Sequence, residues 1–123
     1  MTEKKNILII DDEERIGNLV KQGLEGLGDF DVSTAVNGLD GLAMARKIKP
    51  HLIFLDICMP GISGVEVLKR LKKNKDTQHI PVVLLTAALD SSARAECSTL
   101  YAGYLEKPVG LSVLKNKIEE ILK

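Results

Sequence analysis

The sequence predicts a doubly wound α/β domain built on a five-stranded parallel sheet. Three observations carry this. Short apolar runs alternate along the chain with amphipathic stretches of helical period, the pattern of strands joined by crossover helices rather than of segregated strands and helices. The first run, Ile7, Leu8, Ile9 and Ile10, is apolar at every position, as a strand covered on both faces requires. The 123 residues have the length of one ordinary domain and show no linker, so residues 1–123 are expected to form one unit.

The first strand covers residues 6–10. A helix over about residues 13–27 follows, because Ile16, Leu19, Val20, Gly23, Leu24 and Leu27 keep the i, i+3, i+4, i+7 spacing of one buried face. Gly17, Gly23 and Gly26 each cost this helix about 1 kcal/mol against Ala, so it depends on tertiary packing. The second strand, residues 30–35, is marked by the alternation of Phe30, Val32 and Thr34. Asn37 and Gly38 turn the chain into a second helix that stops before Pro50, since the residue ahead of a proline is pushed out of the helical region. The third strand spans residues 51–55 and runs into Asp56. After a loop with Pro60, Gly61 and Gly64, a third helix over about residues 64–74 turns Val65, Leu68 and Leu71 inward. Strand four covers residues 80–85, with Pro81 where a strand start tolerates it. A fourth helix over residues 90–99 is the least patterned, with Ala93 and Cys97 as its inward pair. Strand five is residues 102–105, and the last helix opens near Pro108 with Leu111, Leu114, Ile118, Ile121 and Leu122 on one face.

Short loops and right-handed crossovers give this pattern the flavodoxin-like (βα)5 order 2-1-3-4-5. Ligands of such sheets bind beyond the carboxyl ends of the strands, at the switch point where strands one and three lie side by side. Four of the apolar runs stop at polar residues of a particular kind: Asp11 and Asp12, then Asp56, then Thr86, then Lys107. Parallel strands bring all of these to one edge. Two carboxylates about 4 Å apart repel by about 4 kcal/mol at an effective dielectric of about 20, a large part of the roughly 5 to 15 kcal/mol that holds a domain together. A cation is therefore expected among them. Mg²⁺ fits better than zinc, because no His or Cys cluster accompanies the acids. Metal and Lys107 would neutralise charge on a transferring phosphoryl group, Thr86 would donate a hydrogen bond, and one carboxylate would attack phosphorus.

Composition narrows the partners. Seventeen Lys plus Arg balance seventeen Asp plus Glu, so no global field draws the chain to nucleic acid or anionic lipid. Residues 1–5 lack a signal-peptide pattern and the apolar stretches are too short to cross a bilayer, so a soluble, cytoplasmic protein without a membrane partner is expected. Cys58 and Cys97 lack metal-ligand spacing and a secreted context, which predicts two free thiols. Lys69, Arg70, Lys72, Lys73 and Lys75 are expected to solvate a helix face and complement its C-terminal dipole. His51 and His79 flank strands and read as surface residues with no partner.

Over nearly its whole length the chain resembles a receiver domain of the two-component response-regulator family, of the chemotaxis-type single-receiver kind. The family's acidic pair corresponds to Asp11 and Asp12, and its Asp-x-x-Met-Pro-x-x-x-Gly stretch runs here from Asp56 through Cys58, Met59 and Pro60 to Gly64. Its Thr-Ala pair is Thr86 and Ala87, and its Lys-Pro pair is Lys107 and Pro108. Each motif alone is weak; together they are specific.

The resemblance implies that Asp56 accepts a phosphoryl group from a sensor histidine kinase or phosphotransfer protein. Mg²⁺ would be held by Asp12, Asp56, the carbonyl of Cys58 and, through water, Asp11, while Thr86 and Lys107 contact the phosphate. Tyr104 stands at the family's switch aromatic, so phosphorylation would reset the surface of the fourth helix, fifth strand and last helix, where a downstream protein target docks, by biasing an existing two-state equilibrium. A monomer or weak dimer is implied.

The chain also departs from the pattern. The stretch from Thr86 to Tyr104 is one residue short, which leaves the register of the fourth helix open and makes Tyr101 a competitor for the switch role. Val109 replaces the family's usual Phe. Ala88 and Cys58 bring little to orient a hydrolytic water, which predicts slow self-dephosphorylation. The chain stops just after the last helix, so either a stand-alone receiver or a piece of a longer regulator is expected.

Blander readings stand beside these. Asp11 to Glu14 complement a helix start, Asp56 suits a turn, Thr86 suits a strand end, Lys107 suits a solvated or snorkelling lysine, and Tyr104 suits ordinary packing. Two other function classes are also compatible in part. An aspartate-dependent phosphatase of the haloacid dehalogenase kind needs an Asp-x-Asp pattern after its first strand, where this chain has Asp11, Asp12, Glu13. A binding module or degenerate receiver acting without phosphorylation would lack an acceptor or carry a Ser/Thr/Gly-rich phosphate loop, and neither is found.

Overall fold

Because β-strand side chains alternate between faces, a strand apolar at every position must be covered twice, and the strands here are. The computed structural model describes residues 3–87, 95–97 and 99–122. Five strands, β1 (Lys5–Ile10), β2 (Phe30–Ala35), β3 (Leu52–Asp56), β4 (Val82–Thr86) and β5 (Gly103–Glu106), form one sheet in the order β2-β1-β3-β4-β5. Every pairing is parallel. Leu8, Ile10, Ile53, Leu55, Val82 and Leu84 point into one apolar cluster, and Ile7, Ile9, Leu52, Phe54, Val83 and Leu85 into the other.

Among the described residues four helices cover these faces: α1 (Glu14–Gly26), α2 (Gly38–Ile48), α3 (Gly64–Lys73) and α4 (Leu111–Ile121). Residues of α2 and α3 build the first cluster, and residues of α1 and α4 the second. Local chemistry sets the boundaries. The Asn37 side chain accepts the Asp40 N–H at 2.8 Å and the Ser63 hydroxyl accepts the Glu66 N–H at 3.2 Å, satisfying donors that a helix start leaves orphaned. Lys49, with φ 45°, closes α2 in the left-handed conformation just ahead of Pro50.

The predicted sheet order and strand sequence are those observed. Most of the helix expected over residues 90–99, including Ala93, lies outside the described residues, as does Ala88; Cys97 is buried in the α2/α3 cluster. Several finer expectations are corrected. Leu19, Leu27 and Leu111 are exposed rather than inward: Leu27 is where α1 has already ended, and Leu19 looks across a gap towards α4. His51 has a partner, its Nδ1 accepting the Asn6 N–H at 3.0 Å. Nor does the basic run only face water. Lys72 donates to the carbonyls of Gln78 and Ile80, at 3.1 and 2.7 Å, and so ties the end of α3 to the approach to β4. Cys58 and Cys97 form no disulfide, the first being exposed and the second buried. No helix among the described residues is long and apolar enough to cross a membrane.

Candidate functional site

Strands β1 and β3 deliver their terminal acids to the same sheet edge. The Asp11 N–H donates to the Ala35 carbonyl at 3.0 Å, extending the sheet one residue past β1 and holding the side chain 2 % exposed. Its Oδ1 accepts the Glu13 N–H at 2.9 Å, so Asp11 serves the entrance of α1 where Glu13 supplies no side-chain cap. Asp12 is exposed beside it. Asp56, the last residue of β3 and 5 % exposed, accepts the Cys58 N–H on Oδ1 at 3.1 Å. The loop after it is pinned by the Gly64 N–H donating to the Ile57 carbonyl at 3.1 Å.

Strands β4 and β5 add the other two groups. Thr86 ends β4, one step past Leu85, the register partner of Asp56. The Lys107 N–H donates to the Thr86 carbonyl at 2.7 Å, carrying the ladder past β5, and the Lys107–Pro108 bond is cis. From there Lys107 Nζ reaches Asp11 Oδ2 at 2.9 Å, Asp56 Oδ2 at 3.1 Å and Glu13 Oε1 at 3.9 Å. The contact to Asp56 is a hydrogen bond. The contact to Asp11 is a close ion pair, and the Thr86 hydroxyl is buried without a hydrogen-bond partner.

Burial is the main influence on Asp56 and pushes its pKa from 3.8 up to about 6; the Cys58 N–H and the Lys107 ammonium pull it down, and the Asp11 charge adds repulsion. For Lys107, burial works against the charge, but Asp11 and Asp56 outweigh it and hold the ammonium protonated above its usual range. One oxygen from each of Asp11, Asp12 and Asp56 lies within 4.8 Å of the others. The set is all oxygen and carries more negative charge than Lys107 balances, so it suits a hard divalent cation.

Lys107 is thus the counter-ion of the acidic edge in this structure. Replacing it with Ala should destabilise the protein by about 2 kcal/mol at pH 7.5, less than the full cost of orphaning a buried charge because Asp56 takes up a proton. The loss should shrink at pH 5, and added Mg²⁺ should raise the melting temperature of the variant more than that of the wild type. Equal Mg²⁺ responses in thermal melts would show that Lys107 does not share this position with a cation.

The structure brings Asp11, Asp12, Asp56 and Lys107 together, with Thr86 bonded to Lys107 through the backbone. The Cys58 thiol is exposed and its N–H turns inward to Asp56. Tyr104 is 40 % exposed on β5, its ring edge-on to Tyr101 at 6.3 Å between centroids, so the two aromatics that compete for the switch role touch each other. Sequence reasoning treated Glu13 only as a helix-start acid, although its backbone and carboxylate both face the site. It also read Gly64 as a loop residue rather than as the floor under Asp56. Only its position eight residues after the acid hinted otherwise.

A doubly wound sheet with this acidic, lysine-bridged edge defines a class of signalling domain. The chain belongs to the response regulator receiver domain family, whose sequence profile matches residues 7–119. It is 30 % identical to chemotaxis protein CheY-3 of Vibrio cholerae, over 100 % of this chain and 95 % of that protein. It is 36 % identical to the DNA-binding dual master transcriptional regulator RpaA of Synechocystis, over 95 % of this chain and 48 % of that protein. The chain therefore spans about half the length of several curated relatives, RpaA among them. Among solved structures, the CheY-like receiver domain protein of Methanospirillum hungatei superposes with a TM-score of 0.89 at 29 % identity, covering 98 % of this chain and 94 % of that one. CheY4 of Vibrio cholerae gives a TM-score of 0.88 at 26 % identity, covering 96 % and 98 %. This is a receiver domain of the two-component type, a kind that works between kinases and downstream targets.

Proposed function

We propose that the domain accepts a phosphoryl group on Asp56 from a phosphohistidine of a sensor histidine kinase or phosphotransfer protein. The observation that carries this is the meeting of the Asp11, Asp12 and Asp56 carboxylates, two of them paired with Lys107, whose Nζ lies 3.1 Å from Asp56 Oδ2 at the carboxyl edge of the sheet. A pKa of about 6 leaves roughly nine in ten Asp56 carboxylates ionised at pH 7, so the nucleophile is available. Its oxygen attacks phosphorus, the phosphorus–nitrogen bond breaks, and the electron pair stays on the departing imidazole. Asp56 is left as an acyl phosphate.

Each neighbour has a part in that step. Asp12, Asp56, the Cys58 carbonyl and, through water, Asp11 would hold Mg²⁺, which when bound would neutralise phosphoryl oxygens. Lys107 moves from carboxylate to phosphate with its charge intact, and the buried Thr86 hydroxyl gains the partner it now lacks. Drawing Thr86 towards phosphate opens space beneath Tyr104, shifting the balance of its exposed and inward positions. The face of β5 and α4, with the expected fourth helix, then presents a changed surface to a protein target. Incubation with acetyl phosphate and Mg²⁺ followed by intact mass measurement tests the reading. One added phosphoryl group that depends on metal is the expected result, and an unchanged mass would overturn it.

A further inference from the structure

The sheet has two open edges, and β2 forms the longer one, with 6 residues against 4 in β5. The carbonyls of Asp29 and Ala35 accept the Lys5 and Asp11 N–H groups, so these positions face β1. Backbone groups alternate in direction along a strand, which turns those of Phe30, Val32 and Thr34 outward. Such a row is a template for another strand unless something covers it.

Two side chains of α1 cover its middle. Glu25 Oε2 accepts the Val32 N–H at 3.1 Å, and Lys21 Nζ donates to the Val32 carbonyl at 2.7 Å. Lys21 and Glu25 are themselves joined at 3.1 Å, so one ion pair occupies both backbone groups of one edge residue. The Val32 N–H, and after it Lys21, hold the Glu25 carboxyl below the usual carboxylate range. Helix stability does not account for this placement. Glu25 stands next to the end of α1, where a negative charge opposes the helix dipole and no basic residue of the last turn offsets it. Lys ahead of Glu is also the weaker order for a pair of this spacing. Reach explains both features, because from these positions the two side chains meet the strand edge.

From this geometry we infer that the Lys21–Glu25 pair guards a self-pairing edge: without it, β2 joins the β2 of a second copy in antiparallel register about a two-fold axis at Val32. The strand's own residues favour that occupant. In this register Val32 faces its counterpart, Phe30 faces Thr34 and Asp31 faces Ser33, so no like charges meet. Antiparallel pairing about a two-fold axis also closes as an isologous dimer. With the guard in place, Val32 has no backbone group to offer and the charged pairs of both copies crowd the axis. The edge lies across the sheet from β5, and neither metal nor phosphoryl transfer enters its chemistry.

The test is Glu25→Ala, followed by sedimentation equilibrium and by amide hydrogen exchange. Ala is favoured in helices and Glu25 is part-exposed, so the fold should hold, and the amide spectrum checks this. At about 20 µM the Val32 amide of the variant should exchange at least about tenfold faster than in the wild type. At about 1 mM the variant should be dimeric, with exchange at Phe30, Val32 and Thr34 slowed again, while the wild type stays monomeric. Glu25→Gln keeps an oxygen for the Val32 N–H and should remain monomeric. Removing both guards, Lys21→Ala with Glu25→Ala, should give dimers at least as readily as Glu25→Ala alone. A Glu25→Ala chain that is monomeric at about 1 mM with a fast Val32 amide would overturn the guard and leave the pair as a tie between α1 and β2. Dimers whose slowed amides lie outside β2, assemblies that grow without limit, or a wild type that dimerises equally would overturn it too.

Discussion

Replacing Asp56 with Asn is expected to abolish the proposed phosphoryl uptake from acetyl phosphate and to make the metal-free protein more stable at neutral pH. The first effect follows because an amide oxygen is no nucleophile, and in the proposed reading Asp56, at the end of β3 and hydrogen-bonded to Lys107, is the attacking acid. Intact mass after acetyl phosphate treatment should show no adduct. The second follows from the electrostatics of the site. Asp56 titrates at about 6 in the folded chain against 3.8 ordinarily, so between those values the folded state binds more protons than the unfolded state. Its contribution is therefore fully favourable below about pH 4, falls as pH rises to about 6, and stays low above that. Full expression of that shift corresponds to about 3 kcal/mol. Lys107 also loses a partner in the variant, so a net gain of about 1 to 2 kcal/mol at pH 7.5 is expected, vanishing near pH 4. Urea unfolding in a chelator at the two pH values measures it. A variant less stable than wild type at pH 7.5 would show that Lys107 pairing, not burial, dominates Asp56. Mg²⁺ should then stabilise the wild type and do little for the variant.

Gly64→Ala is expected to carry the largest penalty of any glycine-to-alanine change in the chain. A Cβ at Gly64 falls inside van der Waals contact with the Asp56 carbonyl oxygen and 2.5 Å from the Ile57 Cα. Both are backbone atoms of the segment that aims the Asp56 side chain, so relief cannot come from a rotamer change. A loss of about 3 kcal/mol or more is expected, with a lower Mg²⁺ affinity because Asp56 moves with its backbone. Gly26→Ala is the control. No heavy atom lies within 4 Å of its Cβ position at the end of α1, so the helix should be unchanged or gain up to about 1 kcal/mol. Similar losses in both variants would mean that helix propensity, not the close approach at Asp56, governs the first.

Much of this was readable before the fold was seen. The uninterrupted run Ile7 to Ile10 announces a doubly covered strand because side-chain alternation is local. Pro50 and Asn37 act on their own backbone, so both ends of α2 fell where expected, whereas the last helix, expected to open near Pro108, begins only at Leu111. The acids at the strand ends were legible for the same reason. Leu19 was misread by the rule that placed Leu24 correctly: periodicity assigns a face, but only a neighbour can cover it. Here Val109 and Leu114, some ninety residues on, leave a gap instead. His51 gained a partner for a similar reason, since Asn6 reaches it only once β1 and β3 are side by side.

From sequence alone came the parallel alternation, the strand order and the identity of the groups at the carboxyl edge, all fixed by short-range spacing and by which runs end in polar residues. Tertiary structure alone decided that Lys107 bridges Asp11 and Asp56, that burial pushes the Asp56 pKa up to about 6, that Gly64 lies against the backbone of Asp56, and that α1 and α4 leave a cavity between them. Those quantities sum contributions from atoms brought together across the whole chain, and burial, repulsion and empty volume exist only once the segments have met.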